Sequence, residues 1–587
     1  MSKTVIILGG GVAGMSAAHE LAERGFAVTV FEKQALLPGG KARSVPVENT
    51  RSGGGKPLPG EHGFRFFPGF YKHITHTMKR IPFTNPVTGK KNKKGVYDNL
   101  VECSQIMITR IGQPPIFAPG DFPRSLADLE LIIHDIFHVN TGLLPGEAKI
   151  IAHKLWQLMT SCSARRQNEY EHIGWWEFTA ANFHSDSYKT LFVNGITRTL
   201  VAARAETAST KTDGDIILQL LFNMATPGIR TDRILCGPTN ETWLFPWLKH
   251  LQDMGVQYNF NSVAEQLEFD ANQICGVWIS QNGKKQKFTA DYYLCSMPVE
   301  RAAKLMEASP QIYRLDPCLS DLTTLAKDVA WMNGIQFYLS EDVSINKGHI
   351  LLADTPWALT AISQIQFWKG FDISQYGDGD IKGIISVDVS NWDNKGLIHG
   401  PAKDCTKEQV IEEVWYQMKQ SFNTNGQIIL KDETLKLAHI DCDIIFQKDI
   451  LDTTTDSTKI PIHFGSADIN KNEEPLLVNQ VDTWALRRES FTDIPNFFLA
   501  ADYIKTYTDL ATMEGANEAA RRAVNNIIDA SGIKASYCKI WNLHEPDWLL
   551  YYKWLDEKRY NKGLAWKSHE PWFGKILNWL YSLKKKK

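Results

Sequence analysis

The chain has 587 residues, of which 43% are hydrophobic and 22% charged, the proportions of a folded globular protein rather than a disordered or fibrous one. Its 64 basic and 66 acidic residues leave a net charge of -2, so composition carries no sign of nucleic-acid binding. Nine cysteines without a C-x-x-C pair argue against a disulfide framework or a zinc site and for reduced thiols in a cytoplasmic protein. Met1-Ser2-Lys3-Thr4 leads straight into an apolar run rather than a secretory signal, and no stretch of 18 apolar residues exists to span a membrane.

The chain opens with a βαβ pattern. Thr4–Leu8 is a short apolar run suited to a buried parallel strand. Residues 12–24 carry Ala and Leu at helical spacing up to Gly25, and Ala27–Phe31 makes a second strand. The Gly- and Pro-rich segment 49–60 reads as an exposed loop. Residues 125–230 have a helical pattern, β-like alternation returns at 255–300 and 330–390, and 497–530 reads as strand, loop and long helix.

Between the first strand and helix lies Gly9-Gly10-Gly11-Val12-Ala13-Gly14, a G-x-G-x-x-G. Gly9 allows the tight turn, Gly11 a close approach of backbone to a pyrophosphate, and Gly14 close packing of helix on strand. The helix N-terminus then faces the phosphates. Glu32 ends the second strand, where its carboxylate can bind both hydroxyls of an adenosine ribose and disfavours a 2′-phosphate. A second glycine turn follows, Leu37-Pro38-Gly39-Gly40-Lys41-Ala42-Arg43-Ser44, whose Lys41 or Arg43 can offset phosphate charge.

Gly39-Gly40-Lys41 after such a unit resembles the "GG" motif of the FAD-dependent amine oxidase and carotenoid desaturase superfamily. Three further segments agree. Glu61-His62-Gly63-Phe64-Arg65-Phe66-Phe67-Pro68-Gly69-Phe70-Tyr71 resembles a stretch of the plant- and cyanobacterial-type phytoene and ζ-carotene desaturases. Cys236-Gly237-Pro238-Thr239 with Trp243-Leu244-Phe245-Pro246 resembles their helix start, ahead of an adenine-contacting strand at Asn259–Val263. Asn496–Tyr503 and Ala511–Ala516 resemble their closing motif.

The resemblance implies an α/β fold. Its Rossmann-type FAD-binding domain would be assembled from residues 1–110, 236–300 and 481–535. A substrate domain of α+β type would be inserted as a mostly helical part, 111–235, and a β-containing part, 301–480, with a helical tail at 536–587. The resemblance also implies FAD as cofactor, held by Gly9, Gly11, Ala13, Gly14, Glu32, Lys33, Gly39, Gly40, Lys41, Arg43, Gly63, Phe64, Val263, Asp502 and Met513. Asp502 would take the pyrophosphate or ribityl end. Met513 would open a helix whose amides face the flavin C2 carbonyl, where reduced flavin gains negative charge.

The chemistry expected is hydride transfer to flavin N5 from a hydrophobic, isoprenoid-like substrate, a desaturation. Two departures bear on it. Amine oxidases of this group carry Tyr immediately before M-E-G-A, as half of an aromatic cage; Thr512 stands there, as a small residue does in the desaturases. Arg65 replaces the desaturase His, either anchoring a polar head group, stabilising anionic reduced flavin, or forming a structural ion pair. His62 beside it is either an acid/base by residue type or a satisfied loop residue. Phe64, Phe66, Phe67, Phe70 and Tyr71 suit an apolar cavity wall or an ordinary core. The alternatives are oxidation of an alkyl or cyclic amine with O2, allylic dehydroxylation, flavin-dependent isomerisation, and a non-catalytic flavin-fold binding module. Oxygen or a quinone is the expected electron acceptor.

Residues 541–587 hold six of the 18 Trp and ten Lys/Arg against five Asp/Glu. Pro571 can open a helix with Trp572, Phe573, Ile576, Leu577 and Leu580 on one face, and Lys584–Lys587 close the chain. The pattern fits either an interfacial helix on an anionic membrane or a terminal helix packed on the body.

Overall fold

A computed structural model of the chain describes residues 2–51, 54–63, 65–117, 142–225, 232–446 and 470–568. Continuous apolar runs build a five-stranded, wholly parallel sheet in the order Phe497–Leu499, Tyr292–Cys295, Thr4–Leu8, Ala27–Phe31, Gln257–Asn259. Strands covered on both faces need no polar alternation, and Val5–Leu8 and Tyr292–Cys295 are buried throughout. The sheet draws on three distant stretches of chain, the discontinuous Rossmann-type assembly that the motifs imply. Two helices lie against each other beside it, Val12–Ala22 and Met513–Ser531. Asn517 Nδ2 donates to Ser16 Oγ at 2.7 Å across that contact.

A second sheet of seven strands runs Leu435–Ile440, Asn333–Leu339, Gly383–Val389, Leu359–Ser363, Ile350–Leu352, Met107–Arg110, Gln113–Phe117. It is antiparallel except where Ile350–Leu352 meets Met107–Arg110. Helix Lys407–Phe422, started by a Thr406/Gln409 capping box, sets Val410, Val414 and Met418 against Ile335, Phe337 and Val387 in a core of its own. Helices between Glu147 and Ala225 enclose a third core around Trp156, Trp175 and Tyr188. The antiparallel pair Leu100–Cys103 and Asp232–Leu235 connects these layers.

Two expected boundaries move. Helix Val299–Glu307 runs through the division at 300/301, and its Ala302, Leu305 and Met306 join the core of the parallel sheet. Met107–Arg110, expected in the first FAD-binding segment, pairs into the second sheet instead. Pairing across distant strands decides both, and local pattern does not carry it.

All nine cysteines are free thiols, six of them buried. No helix among the described residues is long and apolar enough to cross a membrane. Residues 541–566 lie on the body: Trp541 packs on His73 and His76, Trp548 stacks on Trp156, and Trp566 Nε1 donates to Thr160 Oγ1 at 3.1 Å. Arg165 pairs with Asp556 at 3.0 Å, fixing helix Leu549–Tyr560 from below. The helix expected after Pro571 lies outside the described residues.

Candidate active site

The two glycine turns meet at the mouth of one cavity of about 650 Å³. Gly9 N donates to Phe31 O at 2.9 Å, carrying the pairing of the first two parallel strands up to the start of the turn. A Cβ on Gly14 would collide with Gly9 O, so this glycine sets how closely helix and strand approach and does not line the cavity. Gly39, in the left-handed region at φ +96°, donates its amide to Gly10 O at 3.1 Å. Gly11 and Gly40 therefore face each other: a Cβ on Gly40 would stand 3.1 Å from Gly11 Cα.

Glu32, only 4% exposed, accepts from Gly10 N at 2.6 Å and Gln34 N at 2.8 Å. Burial pushes its carboxyl up against the pull of those two amides. The middle glycine of the motif matters too. Tyr258 Oη donates to Gly10 O at 2.5 Å, and a Cβ on Gly10 would overlap that hydroxyl. Sequence reasoning missed Gly10 and Tyr258, because the tyrosine arrives from a strand 248 residues away.

Ala13, Lys33, Lys41, Gly63, Val263, Asp502 and Met513 line the same cavity. Asp502 Oδ1 is buried there without a hydrogen-bond partner, an acceptor that a bound hydroxyl or amide would satisfy. Thr512 Oγ1 accepts from Gly515 N at 3.1 Å, so the residue in place of the amine oxidase tyrosine is the cap of helix Met513–Ser531. Phe64 lies outside the described residues.

Arg43 departs from its expected role. It lies outside the cavity lining, and its guanidinium is committed to both oxygens of Asp443, at 2.7 and 2.8 Å, and to Gly40 O at 2.9 Å. Lys41 lines the cavity but donates its ammonium to Pro475 O, and Lys33 pairs with Glu474. Backbone amides and the two helix N-termini would therefore add to the cations of the lining, Arg301 and Lys304 among them, in offsetting phosphate charge.

Arg65 donates to Ala42 O and Lys41 O at 3.2 Å and stands 3.8 Å from Glu61. It fastens the second glycine turn while lining the cavity, and burial lowers its pKa. Burial pushes the Glu61 carboxyl up to about 7, against the opposing charge of Arg65. His62 pairs with Asp441 at 2.6 Å and lies 3.6 Å from Asp443. Burial favours its neutral form, but the two carboxylates outweigh burial and raise His62 to about 9. An imidazolium thus faces the cavity at neutral pH. Burial of Asp443 is likewise outweighed by His62 and Arg43, which hold it at about 2.

Beyond these groups the cavity becomes apolar, walled by Phe66, Phe70, Ile106, Ile216, Met332 and Leu351. Phe67, by contrast, is fully buried against Trp243 in the core.

The donor set fits FAD: two interlocked glycine turns, a buried carboxylate at the end of the second strand, and an unpartnered Asp502 oxygen beside a helix N-terminus. Fold and site together define an FAD-dependent oxidoreductase. Residues 7–81 match the profile of NAD(P)-binding Rossmann-like domains, and 249–528 that of flavin containing amine oxidoreductases. The chain belongs to the FAD-dependent amine oxidase and desaturase superfamily.

Among solved structures, putrescine oxidase bound to putrescine aligns with a TM-score of 0.57 at 10% identity, covering 90% of this chain and 99% of that one. Cyclohexylamine oxidase from Brevibacterium oxydans gives 0.55 at 13%, covering 91% and 100%. An oxidoreductase from Methanosarcina mazei gives 0.54 at 12%, covering 90% and 100%. Over 70 residues the chain is 43% identical to the carotenoid phi-ring synthase of Chlorobaculum tepidum, a match taking in 12% of this chain and a tenth of that protein's length.

When bound, FAD supplies a two-electron acceptor. Glu32 and the glycine turns would hold its dinucleotide part, Asp502 and the Met513 helix would orient the flavin end, and the apolar walls would exclude water.

Proposed function

We propose that this protein desaturates a hydrophobic, isoprenoid-like substrate. The observation that carries the reading is the apolar chamber continuing from the flavin end, with Thr512 turned into a helix cap where an amine-binding aromatic would stand. A chamber whose walls include Phe66, Phe70, Ile106, Ile216, Met332 and Leu351 gains by burying hydrocarbon. The short identity with a carotenoid-modifying enzyme supports the same substrate class.

An exposed face of helix Leu549–Tyr560 supports contact with a bilayer, where such substrates reside. Leu550, Tyr551 and Trp554 lie on it, with the Lys558 ammonium 3.5 Å from the Trp554 ring centre. The test is to incubate FAD-loaded protein with phytoene in lipid micelles and a quinone acceptor, and to analyse the polyene by mass. Product two hydrogens lighter is the expected result. Unchanged phytoene, with an alkyl amine oxidised under the same conditions, would overturn the reading.

A further inference from the structure

The apolar chamber contains one polar assembly that the sequence motifs do not announce. Cys103 and Asp232 face each other as register partners in the antiparallel pair Leu100–Cys103 and Asp232–Leu235. His349, which precedes strand Ile350–Leu352, places its ring against them, and ligating atoms of all three converge within 4.8 Å. His349 Nδ1 contacts Asp232 Oδ2. All three are buried, Asp232 at 1% exposure, yet the His349 ring lines the cavity.

The histidine is held on several sides. Its carbonyl accepts from Met107 N and from Asn346 Nδ2, each at 3.1 Å. Its ring meets Phe66 edge to face, centroids 5.0 Å apart and planes at 79°. Gly348 lets the loop close on the neighbouring strand, since a Cβ there would collide with Gln105 O. Burial and the Asp232 carboxylate push the Cys103 thiol up, so it stays protonated and available to donate to Asp232. The buried Asp232 carboxylate, paired with Nδ1, orients an imidazole that lines an otherwise largely apolar chamber. Hydrocarbon contact alone asks for no such group, and a buried polar network of this kind is retained at a cost.

We propose that His349, oriented by Asp232, is the proton acceptor of the reaction, an inference that rests on the desaturase reading. Converting CH–CH to C=C removes a hydride from one carbon and a proton from its neighbour. The hydride carries its electron pair to the flavin. The proton passes to His349 Nε2, the ring nitrogen that Asp232 does not hold, and the C–H pair left behind becomes the π bond. Asp232 then stabilises the imidazolium formed. The titratable and charged groups around His349 are Asp232 and Cys103 on the paired strands and, lining the same cavity, Arg65, His62 and Asp388.

The test compares the FAD-loaded wild type with H349Q and D232N. Phytoene binding is followed by quenching of tryptophan fluorescence, and flavin bleaching by anaerobic stopped flow across pH. Carbethoxylation of His349 by diethyl pyrocarbonate is mapped by peptide mass. The expected result is full flavin content and unchanged phytoene binding in both variants. Bleaching in H349Q should slow about 10²- to 10⁴-fold, the range of a lost general base. His349 should be carbethoxylated in the wild type and protected by phytoene.

Equal bleaching rates and pH profiles in H349Q and wild type would overturn the proposal. So would a stoichiometric transition metal in the wild type that is lost in C103S, which would make the three residues a metal site. A wild-type flavin that phytoene leaves oxidised would overturn the desaturase reading and, with it, the proton acceptor role.

Discussion

The two ends of the cavity are built in different ways. At the nucleotide end, the site is made of short, contiguous motifs whose backbone would do the binding: Gly39 N donates to Gly10 O, so the second glycine turn docks against the first. At the substrate end, side chains do the work, and they arrive from strands far apart in sequence. His62 meets Asp441 and Asp443 nearly 380 residues on, and Cys103 meets Asp232 and His349. A backbone site tolerates little change at its glycines and much around them. A side-chain site can be retuned residue by residue, as a superfamily with many substrates requires.

The largest effect that would sharpen this contrast is expected from Gly14→Ala. A methyl group there would overlap the Gly9 carbonyl and crowd Ser296 Oγ, so helix and strand must separate, at about 3 kcal/mol or more. The variant should purify without flavin and unfold at lower temperature. Normal flavin content would break the claim that backbone packing defines this end.

Arg43→Ala comes next. If Arg43 faced a phosphate, the variant would lose FAD and keep its stability. Its commitment to Asp443 predicts the reverse, a loss of about 3 kcal/mol from a broken buried pair, with flavin retained. Denaturant unfolding alongside flavin quantitation separates the two. Glu32→Ala should weaken FAD binding by roughly 1.5–3 kcal/mol, the worth of hydrogen bonds to a charged acceptor, read as a raised Kd on titration with FAD.

The last effect, read across pH, concerns Glu61. Its folded pKa of about 7 lies above the ordinary 4.5. Its contribution is therefore full below about 4.5 and lost as pH rises through 7. His62, raised from 6.5 to about 9, likewise stabilises fully below 6.5 and loses that contribution as pH rises through 9. Glu61→Gln should flatten the decline of Tm between pH 4.5 and 7 and leave the decline through 9 in place. An unchanged profile would remove Glu61 from the account.

These differences explain what was legible in the sequence. The first two parallel strands, the glycine turns and Glu32 announce themselves within a few residues, because turn geometry and helix starts are local; Asp502 and the Met513 helix were legible only through the family resemblance. Arg43 was misread because its partner, Asp443, lies 400 residues away. Lys41 and Lys33 likewise end on Pro475 and Glu474. Tyr258 and the group of Cys103, Asp232 and His349 left no spacing signal, since strand pairing alone brings them together. Arg65 fell between: an ion pair was among its expected roles and Glu61 stands 3.8 Å away, but its grip on the carbonyls of Lys41 and Ala42 was not readable.

The central claim is that one cavity joins an FAD site to a hydrocarbon-binding chamber. An anaerobic absorbance spectrum of the purified protein, taken before and after adding phytoene in micelles and, separately, an alkyl amine, tests it most directly. The account predicts visible flavin bands that phytoene bleaches and the amine leaves intact. Bleaching by the amine alone would contradict it.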